Sequence, residues 1–225
     1  MKKLISLALA ILLMLSLVTP ALAESAKATT LRLAEFSGTV TVKNASGKNQ
    51  TRRKDMRLYN GYSLETGKNS VAYVSLDSTK VIKLDSSTKA EVKKSGKQLE
   101  VKLISGNLFF NVTEPLKADE TLDIRTATMV TGIRGSYGWV KPREMGLMHG
   151  HVTVSCYDPV SGVSRVYDVY GGQGVRFYEV VENGGAGSDF IKWTLSNSDV
   201  PGYVVTEMRK DVSLQTVVTD DVPNI

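Results

Sequence analysis

The chain is poor in the residues from which most catalytic and metal centres are built. Among its 225 residues are one cysteine, two histidines, two tryptophans and six prolines. A single thiol excludes an internal disulfide framework and any multi-thiolate zinc site. Two histidines leave little material for imidazole-based catalysis. The net charge is only +5, from 28 Lys+Arg against 23 Asp+Glu, which is far from the balance of a protein that coats nucleic acid. Beyond Val18 no long apolar run occurs, so the rest of the chain offers no membrane-spanning helix of roughly 20 residues. No G-x-S-x-G, H-E-x-x-H, phosphate-loop or dinucleotide fingerprint is present. No cofactor, metal site or catalytic set is therefore expected, and the chain is read as non-enzymatic.

What is present begins with a leader pattern. Lys2 and Lys3 precede fifteen uncharged residues, Leu4 to Val18, then Pro20 and the small-x-small run Ala21-Leu22-Ala23. This reads as a signal peptide cleaved after Ala23. It predicts a secreted or extracytoplasmic chain, in a bacterial envelope or periplasm, with no membrane span after cleavage. No cysteine lies near the cleavage point to carry a lipid anchor.

Val and Thr, which suit strands, number 46. Apolar and polar residues alternate in Thr39-Val40-Thr41-Val42, Val71–Leu76, Val81–Leu84 and Leu99–Leu103. Turn residues recur every eight to twelve positions, the mark of an all-β sandwich, barrel or solenoid. Two echoes favour repetitive packing. Leu76-Asp77-Ser78-Thr79-Lys80 returns as Leu84-Asp85-Ser86-Ser87-Thr88-Lys89, with each Asp-Ser pair expected to open a turn. A longer echo places Gly38, Gly106 and Gly150 each between an apolar-polar pair and a β run, as equivalent corners of an irregular β framework. Alternation sets Cys156 on the face of Val152 and Val154. It reads either as a small buried hydrophobe or, in an oxidising compartment, as half of an intermolecular disulfide.

The organisation expected is a leader at 1–23, a β domain at 24–182, and a linker with a helical or extended tail at 183–225. The Gly-rich stretch from Asn183 to Ser188 marks the change. Asp189 is a possible cap for a short helix through Phe190, Ile191 and Trp193. Asp199 and Pro201 offer a second helix start, with Val204, Met208 and Val212 on one stripe. The tail is expected to pack on the β body with Trp193 as anchor, or else to serve as a docking segment, and 213–225 to be extended and acidic.

Several segments together resemble the FecR-like domain family. They are Asp55–Ser70, with Gly61 and the Glu65-Thr66-Gly67 step; the strand pairs from Val71 to Val92; Leu103–Phe110, with Gly106; Ile124–Val140, with Gly132-Ile133-Arg134-Gly135-Ser136; and Gly150–Gln173. The resemblance covers about residues 28 to 176. Met56, Tyr62, Ala127 and Ser136 stand where the family pattern has Gly, Asp, Pro and Thr. The resemblance implies an all-β, solenoid- or sandwich-like extracytoplasmic module that binds other proteins, in sensing, adaptor or assembly roles. Related modules occur beside wall-binding domains. The sigma-factor relay of the family's namesakes is not carried over, because this sequence shows neither their cytoplasmic helical domain nor their transmembrane helix.

The remaining candidates are weighed against plain structure. Arg134 has the fork that binds carboxylate or phosphate, but Gly132 and Gly135 beside it suit tight bends, and the motif glycines 38, 61, 67, 106, 132, 135 and 150 read as structural. Met145, Met148, His149 and His151 lie within seven residues, the two histidines expected on one strand face, with soft ligands that suit copper; Gly146 and Gly150 interrupt them. Asp77, Asp85, Asp119, Glu120 and Asp123 are turn acids, which a glycosidase would need paired in a cleft. Arg52, Arg53 and Lys54, with Lys43 and Lys48, form a basic hairpin loop able to meet an anionic wall polymer or partner. Lys89, Lys93, Lys94 and Lys97 form a second basic run, and Trp193 is the tail's candidate contact. Tyr73, Phe109, Tyr137 and Trp139 would serve a glycan-binding face only if exposed; their places in alternating strands favour the core.

Overall fold

The computed structural model describes residues 31–182 and 185–210, with side chains outside 180–187. The alternating segments become strands of two nine-stranded sheets. In spatial order the first sheet holds β18 (Gly185–Thr194), β17 (Gln173–Glu182), β14 (Glu144–His149), β13 (Tyr137–Lys141), β10 (Leu108–Val112), β7 (Lys80–Leu84), β6 (Val71–Ser75), β1 (Arg32–Ser37) and β4 (Met56–Arg57). The second holds β16 (Ser164–Tyr170), β15 (His151–Tyr157), β12 (Met129–Ile133), β11 (Thr121–Arg125), β9 (Gln98–Ser105), β8 (Lys89–Ser95), β5 (Tyr62–Thr66), β2 (Val40–Lys43) and β3 (Asn49–Gln50). Neither sheet closes on itself. One short helix, α1 (Gly202–Lys210), follows the last strand. The leader residues 1–23, Val212 and the stretch 213–225 lie outside the described residues.

Period-two alternation turns one side of each strand inward. Val40 and Val42, Ala72 and Val74, Ile82 and Leu84, Leu99, Val101 and Leu103, and Val152, Val154 and Cys156 all join one core between the sheets. Each buried Leu, Ile or Phe contributes about 1.5–3 kcal/mol. The chain fills the sandwich hairpin by hairpin: β6–β7 in the first sheet, β8–β9 and β11–β12 in the second, β13–β14 in the first, β15–β16 in the second, β17–β18 in the first. Between β9 and β11 the chain visits the first sheet as β10, so β9 and β11 meet in parallel, Leu99 beside Leu122 and Val101 beside Ile124.

The three echoed glycines sit where the chain passes from one sheet to the other. Gly38 joins β1 to β2, Gly106 joins β9 to β10, and Gly150 joins β14 to β15. Their φ values are +76°, +85° and +91°. A Cβ on Gly106 would lie 2.4 Å from Thr88 Oγ1 and 2.7 Å from Ser87 O. One on Gly38 would lie 2.4 Å from Ser70 Oγ, and one on Gly150 would lie 2.5 Å from Gly135 O. At two of these corners the next residue donates its N–H to the neighbouring hydroxyl: Thr39 to Ser70 Oγ and Asn107 to Thr88 Oγ1, both at 2.9 Å.

The Leu-Asp-Ser echo divides. Asp77 opens the β6–β7 turn as expected, its Oδ1 accepting Thr79 N–H at 2.9 Å. At the second copy the turn is held by Ser86, whose hydroxyl accepts Asn69 N–H at 3.0 Å. The expected helix at Asp189–Trp193 is instead part of strand β18. Its residues pair with β17 from Gln173 beside Thr194 to Glu182 beside Gly185, and the Phe190 ring packs 5.0 Å from that of Phe177. Strand pairing thus runs on past 183 to Thr194. The second helix start holds: α1 begins just after Pro201.

Gly106→Ala should cost about 2–5 kcal/mol, combining a forced left-handed backbone with a collision. Gly96→Ala (φ +59°, nothing within 4 Å of its Cβ) should cost only about 1–2 kcal/mol; urea unfolding of both variants measures the difference. Cys156 is buried on the inner face, and burial pushes its thiol up to about 12. The native protein should therefore resist Ellman's reagent at mildly alkaline pH, and one thiol per chain should react after denaturation.

Candidate functional site

A single row of paired residues crosses eight strands on the outer side of the first sheet. In register it runs Glu35, Tyr73, Lys83, Phe109, Trp139, Gly146, Gly174, Trp193. The two glycines make a trough into which both indoles lean. A Cβ on Gly146 would lie 2.2 Å from Trp139 Cζ2, and one on Gly174 would lie 2.6 Å from Trp193 Cη2. Arg176 stacks on Trp193 with its guanidinium carbon 4.6 Å from the ring centroid.

Helix α1 lies over this face. Val200, Val204 and Met208 pack with Phe109, Tyr137, Trp139 and Met148 in a second apolar cluster, separate from the inter-sheet core. Trp139 is fully buried there. The chain reaches α1 through a short turn at Asn197–Asp199, in which Asp199 Oδ2 accepts the Ser196 N–H at 2.8 Å and the Ser196 hydroxyl at 2.6 Å. Arg209 and Lys210 fall in the last turn of α1, where positive charge suits the helix dipole.

One carboxylate oxygen fastens the far end of the helix. Glu207 Oε1 receives Lys83 Nζ at 2.9 Å, Tyr73 Oη at 2.9 Å and Lys210 Nζ at 3.0 Å. Lys210 also donates to Tyr73 Oη at 2.8 Å. Lys83 and Glu207 are both buried, at 4% and 8% exposure, while Asp85 stands 3.9 Å from Lys83. Burial alone would raise the Glu207 pKa; hydrogen bonds from Lys83, Lys210 and Tyr73 outweigh it and hold the carboxyl below its ordinary 4.5. Beneath the helix the Trp139 Nε1 and Tyr203 Oη groups are buried without a hydrogen-bond partner among the described residues. Burial drives the Tyr203 phenol well above its usual range.

The second sheet presents a different surface. Its outer charges pair with one another: Glu100 with Arg125 at 2.8 Å and Lys93 at 3.7 Å, and Lys97 with Asp119. A groove of about 430 Å³ beside β8, β9 and β11 is lined by Lys93, Glu100, Arg125 and Asp123; burial raises the Asp123 pKa, with Glu100 adding to the effect and Arg125 and Arg134 opposing it. At the β15–β16 end the surface turns apolar. Tyr157, Val160, Val163, Val166 and Tyr170 are all exposed, Val166 by 66%. Asp158 holds the intervening loop, accepting Val160 N–H at 2.8 Å and the hydroxyls of Ser161 and Ser188; the Ser161 hydroxyl leads in drawing its pKa down to about 2. The free edge of β16 is guarded by β18, since Lys192 donates to the Asp168 carbonyl at 3.2 Å and Arg165 pairs with Asp189.

The structure scatters the copper candidates. Met145 lies in the inter-sheet core and Met148 under α1. His149 and His151 do not share a strand face, because the Gly150 corner sends them to different sheets. His149 stacks on Tyr137; His151 stacks on Tyr170 at 4.6 Å and meets Asp168 at 3.0 Å. The basic loop is exposed at Arg52, Arg53 and Lys54, with Arg52 lying 5.7 Å over Phe36. The guanidinium of Arg134 is exposed and its carbonyl accepts Leu116 N–H at 2.7 Å. Gly61 and Gly135 have positive φ; Gly67 donates its N–H to Thr39 O at 2.8 Å; Gly132 lies between Asp123 and Thr153. Trp193 is half-buried over Gly174, so Trp139, not Trp193, is the residue on which the helix rests. Tyr73, Phe109, Tyr137 and Trp139 do share one sheet face, and α1 covers it. Sequence reasoning missed Lys83 and Glu207 because their pairing spans the chain and no local pattern announces it.

These features define a β-sandwich with one covered face and one edge that exposes apolar side chains. Residues 62–158 match the family model described as FecR protein. That segment is similar to the FecR family, and the match covers less than half of the chain. The match spans β5 to β15 and stops before β16 and α1. Two crystal structures of a candidate anti-sigma factor from Parabacteroides distasonis ATCC 8503 are similar to the chain at 17% identity and a TM-score of 0.46, over 59% of this chain and 59% of that one. The chain thus spans about three-fifths of that protein's length. None of the curated proteins matches it.

Lys83→Ala leaves the buried Glu207 carboxylate with only Tyr73 and the exposed Lys210 and should cost up to about 3–5 kcal/mol, enough to free α1 and shift Trp139 emission to the red. Lys210 is 57% exposed at its side chain, so Lys210→Ala should cost at most about 1 kcal/mol. Because the native pKa of Glu207 is depressed, its contribution is fully present above 4.5 and is lost as pH falls through the lowered native value. An acid titration followed by tryptophan emission should show this step in the parent and lack it in Glu207→Gln.

Proposed function

We propose that this chain is a secreted, non-enzymatic FecR module that binds another protein in the cell envelope, as a sensor, adaptor or assembly factor. The observation that carries the reading is the exposed apolar rim. Five of the nine large hydrophobic residues exposed among the described residues fall within Tyr157–Tyr170. An excess of exposed apolar side chains on one hairpin suits an interaction surface. The similarity of residues 62–158 to the FecR family supports a regulatory rather than a catalytic role. The leader pattern at residues 1–23 supports export.

The rival glycan-binding reading relied on an exposed aromatic face. Phe109, Tyr137 and Trp139 are buried beneath α1, so it lacks that platform here. The basic loop at Arg52, Arg53 and Lys54 remains available to an anionic wall polymer.

A photo-reactive residue in place of Val166 should capture a discrete envelope protein in intact cells, and Val166→Asp should reduce capture by about tenfold or more, as loss of a central interface residue does. Retention of the chain in the cytoplasm, or capture unaffected by Val166→Asp, would overturn the reading. Co-sedimentation of the exported chain with protease-stripped sacculi at high salt would favour the glycan rival.

A further inference from the structure

Helix α1 is held by its surroundings more than by its own sequence. Nine residues is short of the about 12–15 that sustain an isolated helix. It opens Gly202-Tyr203-Val204-Val205-Thr206, a glycine followed by aromatic and β-branched residues of low helix propensity. Strand pairing ends at Thr194, so lifting α1 off the sheet breaks no ladder. The FecR match ends at residue 158, well before it.

The contact under α1 is also incomplete in its hydrogen bonding: Trp139 Nε1 and Tyr203 Oη go without partners among the described residues. Release of α1 would expose Phe109, Tyr137, Trp139 and Met148 beside Lys83 and Tyr73. This combination is selective. An apolar strip with a lysine and a phenol at one end fits a helix with two apolar residues on one stripe and a carboxylate beside the second, as Val204, Glu207 and Met208 supply now.

We propose that the outer face of the first sheet is a docking surface for an amphipathic, carboxylate-bearing helix of a partner protein, and that α1 is the internal competitor that occupies it until the partner binds. The occupant must be acidic at this point because Lys83, deprived of Glu207, would be an ammonium at the margin of an apolar strip. The tether gives α1 an effective concentration in the millimolar range, so a longer and more stable helix can displace it while a weak one cannot. This surface lies on the opposite sheet from the Tyr157–Tyr170 rim and does not depend on that rim binding anything.

The probe is a fluorescent peptide copying residues 196–210, with Gly202→Ala and Thr206→Ala to raise its helicity. It should bind a full-length Glu207→Lys protein, whose own helix is repelled by Lys83, at least tenfold more tightly than the parent. A peptide that itself carries Glu207→Lys should lose that binding. Equal affinity for the two proteins, or indifference to the peptide's charge, would overturn the proposal. Dimerisation of the Glu207→Lys protein through exchanged helices would overturn the choice of a separate partner. Hydrogen exchange on the parent protein covers the case in which that variant misfolds. The α1 amides should exchange at least tenfold faster than those of β10 and β13; exchange of α1 only in step with those strands would make it an integral part of the fold and end the proposal.

Discussion

The sandwich depends on passing the chain repeatedly between two sheets without leaving voids or clashes at the rim. Face-to-face sheets pack about 10 Å apart, and the connections made at Gly38, Gly106 and Gly150 have to close that gap tightly. Each does so with a left-handed backbone pressed against a neighbouring turn. The hydroxyls of Ser70 and Thr88 then take the amide freed by the bend. Because the neighbouring turn is itself a crossing, each corner locks the position of the next. The hairpins can therefore stack in order without any one sheet having to close.

Period two and the corners account for most of what was legible in the sequence. The alternation in Val71–Ser75 and Leu99–Leu103 identifies inward residues, and the structure buries those. Cys156 falls with Val152 and Val154, as the pattern places it. The errors have physical causes. Phe190 to Trp193 carries bulky apolar side chains on both faces of a strand, which hides its alternation, and Gly185 and Gly187 before it read as a linker although they lie in strand β18. His149 and His151 are two apart, which implies one face only in an unbroken strand; the corner at Gly150 breaks it.

The candidate surface was legible in part. Tyr73, Phe109, Tyr137 and Trp139 share the outward parity of their strands, and register across the sheet brings them into one neighbourhood. What parity cannot reveal is a cover. Lys83 reads as a solvated charge in an alternating strand, and becomes buried only because Glu207, far along the chain, is laid on top of it. The exposed rim at Tyr157–Tyr170 was missed for the opposite reason: valines and tyrosines in a β sequence are assigned to a core by default, and here the edge of the second sheet leaves them outside.

The two sheets solve the same problem differently. On the second, the outer face is kept in water by charges that neutralise one another, as Lys93, Glu100 and Arg125 do. On the first, the outer row is aromatic and needs a lid. A lid made of a single strand laid over that face would leave its own backbone groups unpaired. A helix satisfies its own backbone and touches the sheet only through side chains, so its attachment is decided by a few apolar contacts and the single oxygen that Lys83, Tyr73 and Lys210 share. Such an attachment keeps Trp139 dry, and breaking it would leave the strand ladders of both sheets intact. That asymmetry follows from what each outer face carries, paired charges on one and an aromatic row on the other.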